Sequence, residues 1–255
     1  SSLVYVSPRE IKSNETRTYS NKTYEYTHGY GAIISSANSV DENGNLEYIQ
    51  SDFKGEDNKV KITQPRIYFG LQTNEPIVTN AKNKQEYDYP LTSTTSNTNT
   101  YEGKAGLKLG FLDRIILGVK EKNLGIAFSG NVTKESRIIT TRNIITRAKT
   151  IMPYLKYDEE PYMVVTDEGK LVLDAYTTSN DYPYSQETII EYGGLKEKIN
   201  YIRNSVKVII DAYDGTTDFY ITDKSDPIAI AYSNIYPELF KDGEEIPQDI
   251  SKHMV

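Results

Sequence analysis

The chain has 255 residues, of which 37% are hydrophobic and 25% are charged, so a folded protein with a sizeable core is expected. Its net charge of −7 argues against nucleic-acid binding, which needs a basic surface. The absence of cysteine excludes disulfides, zinc–thiolate sites, iron–sulfur clusters and cysteine nucleophiles, and the sequence indicates no cofactor.

Membrane-spanning and targeting segments are not found in the sequence. No run reaches the roughly 18 apolar residues that a membrane span needs. Residues 1–10 lack the basic start and the apolar stretch of a signal peptide. If the protein is exported, we expect its targeting information to lie outside this sequence.

Tyrosine dominates the aromatic content, with 22 tyrosines, 6 phenylalanines and no tryptophan. A tyrosine has an apolar ring and a polar hydroxyl, which suits both sheet faces and wet binding surfaces. One interpretation is a tyrosine-rich β surface without a ligand, and the other is a surface that stacks on sugars. The first is the simpler interpretation.

Residues 24–31 (YEYTHGYG) contain the first candidate site. Two glycines flank Tyr30, which indicates unusual backbone dihedral angles or a close approach. His28 is either a turn-stabilising side chain or a functional base or ligand. Since the only other histidine is His253, a histidine-rich metal site is not expected.

A polar turn and two strands are predicted next. Residues 41–45 (DENGN) share acidic and Asn/Gly spacing with calcium loops. They lack the full twelve-residue pattern and its terminal glutamate, so a solvated turn is the simpler interpretation. Strands are predicted to start near Gln64 and near Glu75, each followed by a proline.

Residues 91–100 (LTSTTSNTNT) are small, polar and of low complexity, which is typical of an exposed loop. This loop marks a possible subdivision between a β-rich part (1–90) and a part with helices followed by β-hairpins (101–255). The whole chain, 1–255, is predicted to form one domain or a pair of domains.

Two amphipathic helices are predicted between residues 106 and 155. Near-helical spacing predicts the first, from Leu107, Phe111, Leu112, Ile115, Ile116 and Val119. The second is predicted from Lys134 to Met152, with Pro153 ending it. Basic residues off its apolar stripe could recognise anionic groups or form a solvated face; they are Arg137, Arg142, Arg147 and Lys149.

The last third is predicted to be rich in β-hairpins. Residues 162–176 form one hairpin with a turn at residues 166–169 (TDEG). Residues 201–221 form another near the middle of a sheet, with Asp214-Gly215 in the turn. Between the hairpins, residues 177–186 (TTSNDYPYSQ) are predicted to form a rigid aromatic loop.

One more helix is predicted near the end of the chain. Asp226-Pro227 provides an N-cap followed by a proline at the first helical position, and Tyr236-Pro237 ends the helix. Together the elements predict an α+β fold that is mainly antiparallel β-sheet with hairpins, plus two or three amphipathic helices.

Seven segments carry a resemblance to a known family. They are residues 26–31 (YTHGYG), 64–70 (QPRIYFG), 86–90 (EYDYP), 101–109 (YEGKAGLKL), 136–155 (SRIITTRNIITRAKTIMPYL), 174–185 (DAYTTSNDYPYS) and 201–215 (YIRNSVKVIIDAYDG). As an ordered set they resemble the uncharacterised protein family 0182, large bacterial integral-membrane proteins of unknown function. Residues 80–84 depart from the family's usual pattern, which affects only a loop.

The resemblance implies a bundle of transmembrane helices followed by a large extracytoplasmic region, and this chain looks like part of that region. It would lie at the outer face of the bacterial cell membrane. The implied partners are the transmembrane part of its own full-length protein and an envelope ligand or protein, and no nucleic acid. The family supplies no established catalytic residues, so none is assigned.

The favoured function is therefore a non-catalytic extracytoplasmic binding or interaction module. Tyrosine rings can stack on sugars, and carboxylates can bind hydroxyl groups. The candidate ligand-binding residues are His28, Tyr30, Asp174, Asp181, Tyr182, Tyr184 and Asp211.

Two alternatives stay open. One is a cell-envelope hydrolase with paired carboxylates, either Asp174 and Asp211, which each begin an Asp-Ala-Tyr triplet after an apolar strand, or Asp181 and Glu187. Because carboxylates at strand exits usually cap turns, the structural interpretation is the simpler one. The other is a calcium-stabilised structural domain of a transporter-like protein, for which no metal ligand is assigned.

Overall fold

The structure is a computed structural model that describes residues 3–11, 18–51, 60, 62–92, 94–165 and 169–254. The fold is α+β with small, mostly antiparallel sheets, which confirms the predicted class. The chain divides into two compact units. The first comprises Ser1–Ile144, Val165–Gly169 and Asp211–Gly215, and the second comprises Ile145–Val164, Lys170–Ile210 and Thr216–Val255.

Strands of the first unit form one three-stranded sheet and three short pairs, all antiparallel. The sheet has the order β1-β3-β4, with β1 at Val4–Pro8, β3 at Ala32–Val40 and β4 at Leu46–Gln50. The pairs are β2 (Gly29–Tyr30) with β5 (Arg66–Ile67), β6 (Ile77–Thr79) with β9 (Arg137–Ile139), and β7 (Glu86–Pro90) with β8 (Ser96–Asn99).

The loop predicted at residues 91–100 is wrong in its second half, because β8 pairs there with β7. The polar composition of residues 91–100 is typical of an exposed loop, but two of its asparagines bind buried side chains. The Asn97 amide donates to Asp88 Oδ2 at 3.2 Å, and the Asn99 amide donates to the Tyr68 hydroxyl at 2.9 Å. The subdivision predicted at residues 91–100 stays a prediction, and these residues belong to the first unit.

The helices of the first unit are short. They are a π-helical turn at Asn21–Glu25, α1 at Phe111–Lys120 and α2 at Leu124–Phe128. Tyr24, Val78, Leu117, Ile126 and Ile138 form a buried apolar cluster in this unit. In the described part of the chain, no helix has the length and apolar character to cross a membrane.

The helix predicted from Lys134 to Met152 is wrong in its first half. Strand β9 occupies part of that stretch, and α3 begins only at Ile144 and ends at Ile151. Ile138 and Ile139 are buried and pair with β6, so their apolar side chains serve a sheet and not a helical stripe. Between the two elements, Thr141 has a φ of 51°, which interrupts the helical backbone.

The second unit contains a six-stranded sheet and a separate hairpin. The sheet has the order β10-β12-β15-β16-β17, and β11 also pairs with β12. The bounds are β10 Lys156–Tyr157, β11 Tyr162–Val164, β12 Lys170–Ser179, β13 Thr188–Tyr192, β14 Leu195–Ile199, β15 Tyr201–Asp211, β16 Thr217–Ile221 and β17 Phe240–Asp242. Strands β13 and β14 form the hairpin, and β16 and β17 pair in parallel.

Both predicted hairpins are confirmed as antiparallel pairs, β11 with β12 and β15 with β16. Residues 166–168 of the first hairpin's turn lie outside the described residues. Strand β15 is central in the sheet, and residues 205–210 are buried in succession. Their burial shows that both faces of the strand are covered. The alternation in the sequence therefore does not distinguish a solvent-exposed face from a buried one.

Three helical segments complete the second unit: α4 at Pro227–Ile235, a 3₁₀ turn at Gly243–Glu245 and α5 at Gln248–Ser251. The prediction for α4 is confirmed at both ends. The Asp226 carboxylate accepts a hydrogen bond from the Ile228 amide, Pro227 is the first helical residue, and Tyr236 follows the last.

The turn at residues 211–215, in the first unit, depends on Gly215. Its φ is +71°, and its amide donates to the Asp211 carbonyl at 2.9 Å. A Cβ at Gly215 would lie 2.5 Å from the Phe69 ring. We expect Gly215→Ala to lower the free energy of unfolding by about 2 kcal/mol, because it adds backbone strain and a clash with a buried ring.

Gly193 provides the matched control for that substitution. Its φ is +59°, but nothing lies within 4 Å of a Cβ placed there. Gly193→Ala therefore introduces the backbone strain alone and should destabilise the chain by only about 1 kcal/mol. Urea denaturation of both variants measures the difference, and equal losses would contradict the role given to Phe69.

Candidate ligand-binding site

Strand β7 in the first unit has two chemically different faces, since alternate side chains of a strand point in opposite directions. Glu86 and Asp88 are buried on one face. Tyr87 and Tyr89 are half-buried on the other. The sequence Glu-Tyr-Asp-Tyr thus places carboxylates inside the unit and tyrosines at its surface.

Asp88 is held by two side chains, those of Arg66 and His28. The Arg66 guanidinium donates to both of its carboxylate oxygens, each at 2.9 Å. His28 Nε2 lies 3.1 Å from Asp88 Oδ1. Burial opposes ionisation of Asp88, but the hydrogen bonds from His28 and Arg66 outweigh it and hold the pKa of Asp88 below its usual range.

Glu86 accepts hydrogen bonds from two hydroxyl groups, Thr27 Oγ1 at 2.7 Å and the Tyr68 hydroxyl at 2.6 Å. His28 Nδ1 lies 2.9 Å from the same Thr27 oxygen. The His28 ring thus bridges the Thr27 hydroxyl and the Asp88 carboxylate.

His28 is predicted to contact a ligand, but it is only 1% exposed. In this arrangement its side chain does not reach solvent directly. Its ring is engaged by Thr27 and Asp88 and lies 4.7 Å from the Tyr68 ring. Burial, reinforced by Glu86, raises the pKa of Tyr68 well above its ordinary value, so Tyr68 remains a neutral donor. The buried network fixes the backbone that carries the outer tyrosines.

Four tyrosines form the outer surface, which we call the tyrosine surface. The Tyr26 and Tyr87 rings lie 5.1 Å apart, and the Tyr30 and Tyr89 rings lie 4.9 Å apart. The Arg66 guanidinium lies 6.0 Å from the centre of the Tyr30 ring. Burial raises the pKa values of Tyr30 and Tyr87, so their hydroxyls stay protonated at neutral pH. All four tyrosines are half-buried.

A depression of about 640 Å³ adjoins the Tyr26–Tyr87 pair. It is lined by Glu25, Tyr26, Asn83, Lys84, Gln85, Tyr87, Ser96 and Thr98. Lys84 and Glu25 form an ion pair with a separation of 2.6 Å. The lining therefore offers aromatic rings, amides, hydroxyls and both charges, which is the chemistry that recognises a polar ligand.

The aromatic loop of the second unit has a different arrangement. The Tyr182 ring stacks on Tyr201 at 4.4 Å, and the Asn200 side chain binds the Tyr182 main chain. Tyr184 is fully exposed and has a φ of 60°. Asp181 is exposed, and its amide binds Ser179. These candidates stay predictions.

Three of the four carboxylates considered for hydrolysis make a structural contact. Asp174, in the second unit, lies 2.6 Å from Lys207 Nζ and accepts from Asn204. Asp211, in the first unit, accepts the Tyr213 and Asp214 amides of its own turn. Glu187 pairs with Lys198 at 3.4 Å, and this contact is exposed.

The predicted polar turn at residues 41–45 is confirmed. The Asp41 carboxylate accepts the amides of Asn45 and Asn43 and the Asn45 side chain, which lowers the pKa of Asp41. Within the described ranges, no group of three or more histidine, aspartate or glutamate side chains is placed to hold a metal ion.

The tyrosine surface was only partly accessible to sequence reasoning. The two flanking glycines indicate Tyr30, but they do not indicate Tyr26, Tyr87 or Tyr89. The available signal was the alternation in residues 86–90 (EYDYP), because it places two acidic and two aromatic side chains on opposite faces of one strand.

The profile of the uncharacterised protein family UPF0182 matches residues 1–255. A UPF0182 protein of Clostridium tetani is 46% identical over 99% of this chain and 28% of its own length. UPF0182 proteins of Clostridium acetobutylicum and Clostridium perfringens are 43% and 44% identical over 99% and 98% of this chain and 27% and 26% of their own lengths.

The chain thus spans about a quarter of the length of these relatives. No solved structure matches it. The family match over every residue, together with identities above 40% to bacterial relatives, confirms the resemblance identified from the seven sequence segments. The chain belongs to the uncharacterised protein family UPF0182.

Proposed function

We propose that this chain is a non-catalytic binding module, and that its tyrosine surface binds a hydroxyl-rich ligand such as a glycan of the cell envelope. The observation that supports the proposal is the pair of half-buried rings, Tyr26 and Tyr87, which line a polar depression of about 640 Å³. Rings of this kind pack against the apolar faces of sugars, and the neighbouring amides and hydroxyls can bind sugar hydroxyls.

The buried network favours binding by holding the surface in place. Arg66 and His28 anchor Asp88, and Thr27 and Tyr68 anchor Glu86. A strand fixed in this way loses little conformational entropy when a ligand binds. The tyrosines that alternate with these carboxylates are consequently presented in a preorganised arrangement.

The module is proposed to lie at the outer face of the bacterial cell membrane and to act together with the transmembrane part of its own full-length protein. The support is the family resemblance. In that location, polysaccharides of the envelope are the hydroxyl-rich ligands that the tyrosine surface would meet.

The test is isothermal titration calorimetry of the chain with peptidoglycan fragments and with N-acetylglucosamine oligomers. We expect Tyr87→Ala to weaken binding about fivefold, since a stacked ring contributes on the order of 1 kcal/mol. Tyr184→Ala is the matched control, because it removes an exposed ring from the other unit. Loss of binding in the control, with binding retained by Tyr87→Ala, would move the site to the aromatic loop.

A further inference from the structure

Five of the six large apolar residues of α1 lie on one side of the helix. At about 100° per residue, Phe111, Leu112, Ile115, Ile116 and Val119 fall within an arc of about 140°. An amphipathic helix in a globular protein normally turns such an arc towards the core. The sequence predicts such an amphipathic helix here.

In the structure, most side chains of this arc are exposed to solvent. Leu112 is 72% exposed, Ile116 is 70% exposed and Val119 is 63% exposed. The helix contacts its own unit through Leu117 and Gly118 instead, and a Cβ added at Gly118 would lie 3.1 Å from Ala127 of α2. The close packing of α1 on α2 therefore fixes the helix with its apolar side uncovered.

Neighbouring residues extend this apolar side. Leu107 precedes α1, and Leu124 and Phe128 belong to α2; all three are more than half exposed. We call the exposed apolar residues of this region the α1–α2 face: Leu107, Phe111, Leu112, Ile116, Val119, Leu124 and Phe128. Several large apolar side chains exposed together on one short helical pair mark an interaction surface.

The charge of the same region is opposite to that of the whole chain. Residues 104–134 contain six basic and two acidic residues, whereas the chain has a net charge of −7. The basic residues are Lys104, Lys108, Arg114, Lys120, Lys122 and Lys134. Lys108 pairs with Glu135 at 3.5 Å, and the other four lysines make no salt bridge within the part of the chain that the structure describes.

We propose that the α1–α2 face docks on an anionic lipid surface, with its apolar side chains at the boundary between headgroups and acyl chains. Exposed leucine, isoleucine and phenylalanine beside unpaired lysines are the combination that interfacial helices use. Each lysine near an anionic surface adds attraction. A protein partner is less well matched, because lysine is depleted in protein interfaces. With ten residues, α1 is too short to span a bilayer and would lie in its surface.

The test is flotation of the whole chain with vesicles of phosphatidylcholine, alone or mixed with an equal amount of phosphatidylglycerol. We expect the chain to float with the anionic vesicles only, and added salt to weaken binding. The double substitution Leu112→Gln with Ile116→Gln should reduce binding at least about tenfold. Both side chains are exposed, so the variant should fold, which circular dichroism checks.

The matched control is Ile189→Gln with Leu195→Gln, which removes two equally exposed apolar side chains from the β13–β14 hairpin and should leave binding unchanged. Because the chain lacks tryptophan, Phe128→Trp adds a single reporter whose emission should shift to the blue with anionic vesicles. Absence of flotation, equal flotation with neutral vesicles, or equal loss in the control would each overturn the proposal. Self-association through this face without vesicle binding would overturn it as well.

Discussion

Replacement of Arg142 by methionine is expected to lower the stability of the first unit by on the order of 4 kcal/mol. Arg142 is 3% exposed. Its guanidinium donates to three main-chain carbonyls, those of Tyr68 at 2.8 Å, Glu75 at 3.0 Å and Thr27. Burial lowers the pKa of Arg142 to about 10, so the side chain stays charged at neutral pH. Methionine would fill the space but leave the three carbonyls without their donor.

Arg137→Met is the matched control. Arg137 also donates to three main-chain carbonyls, those of Lys104, Ala105 and Gly106, but it is half-exposed. Water can replace its hydrogen bonds, so the loss should be about 1 kcal/mol or less. Hydrogen exchange followed by mass spectrometry measures both variants, since it reports each unit separately. Unchanged protection of residues 66–70 in Arg142→Met would contradict the anchoring role.

Asp226→Ala is expected to destabilise the second unit by on the order of 3 kcal/mol. The Asp226 carboxylate is fully buried and accepts hydrogen bonds from the hydroxyls of Thr177, Ser205 and Tyr201 and from the Ile228 amide. Alanine would leave these donors without an acceptor and remove the N-cap of α4. The loss of protection should therefore appear in β12, β15 and α4 together.

Asp223→Ala tests whether burial is the cause. Asp223 also caps a turn, accepting from the Ser225 amide at 2.9 Å and pairing with Arg203 at 3.1 Å, but it is half-exposed. We expect a loss of about 1 kcal/mol or less for this control. Comparable losses at Asp223 and Asp226 would mean that helix and turn capping, and not the buried network, carries the effect.

The Asp226 contribution should also depend on pH. Burial opposes its ionisation, but the hydrogen bonds from Ser205, Thr177 and Tyr201 outweigh it and lower the pKa of Asp226 in the folded chain. Its stabilisation is complete above the unfolded-state value of about 3.9 and is lost as pH falls through the folded-state pKa. The difference in unfolding free energy between the wild type and Asp226→Asn should thus be constant near neutrality and shrink below about pH 4.

Local chemistry explains which parts of the fold could be predicted. Asp226-Pro227 predicts a helix start, because Asp is an N-cap and Pro fits the first helical position. Asp214-Gly215 predicts a turn, because glycine accepts a positive φ. The α4 helix and the β15–β16 hairpin were consequently found. In contrast, the run at Ile138 and Ile139 fits a helix or a strand equally well, and only its partner β6, about sixty residues earlier, decides between them.

The candidate site was predicted less well for a related reason. His28 and Tyr30 stood out because of the rarity of histidine and the flanking glycines. Their partners Asp88 and Tyr89 are distant in sequence, so no local pattern connects them. The exposed side of α1 escaped prediction as well, because periodicity identifies an apolar arc but does not say what covers it.

The central claim is that the tyrosine surface binds a hydroxyl-rich ligand. The most direct measurement is nuclear magnetic resonance of the chain with ¹³C-labelled tyrosine rings during titration with peptidoglycan fragments, with signals assigned by single Tyr→Phe substitutions. We predict saturable shifts for Tyr26 and Tyr87, with smaller shifts for Tyr30 and Tyr89 and none for Tyr184. Shifts confined to Tyr184 and its loop, or no shifts at any of these rings, would contradict the claim.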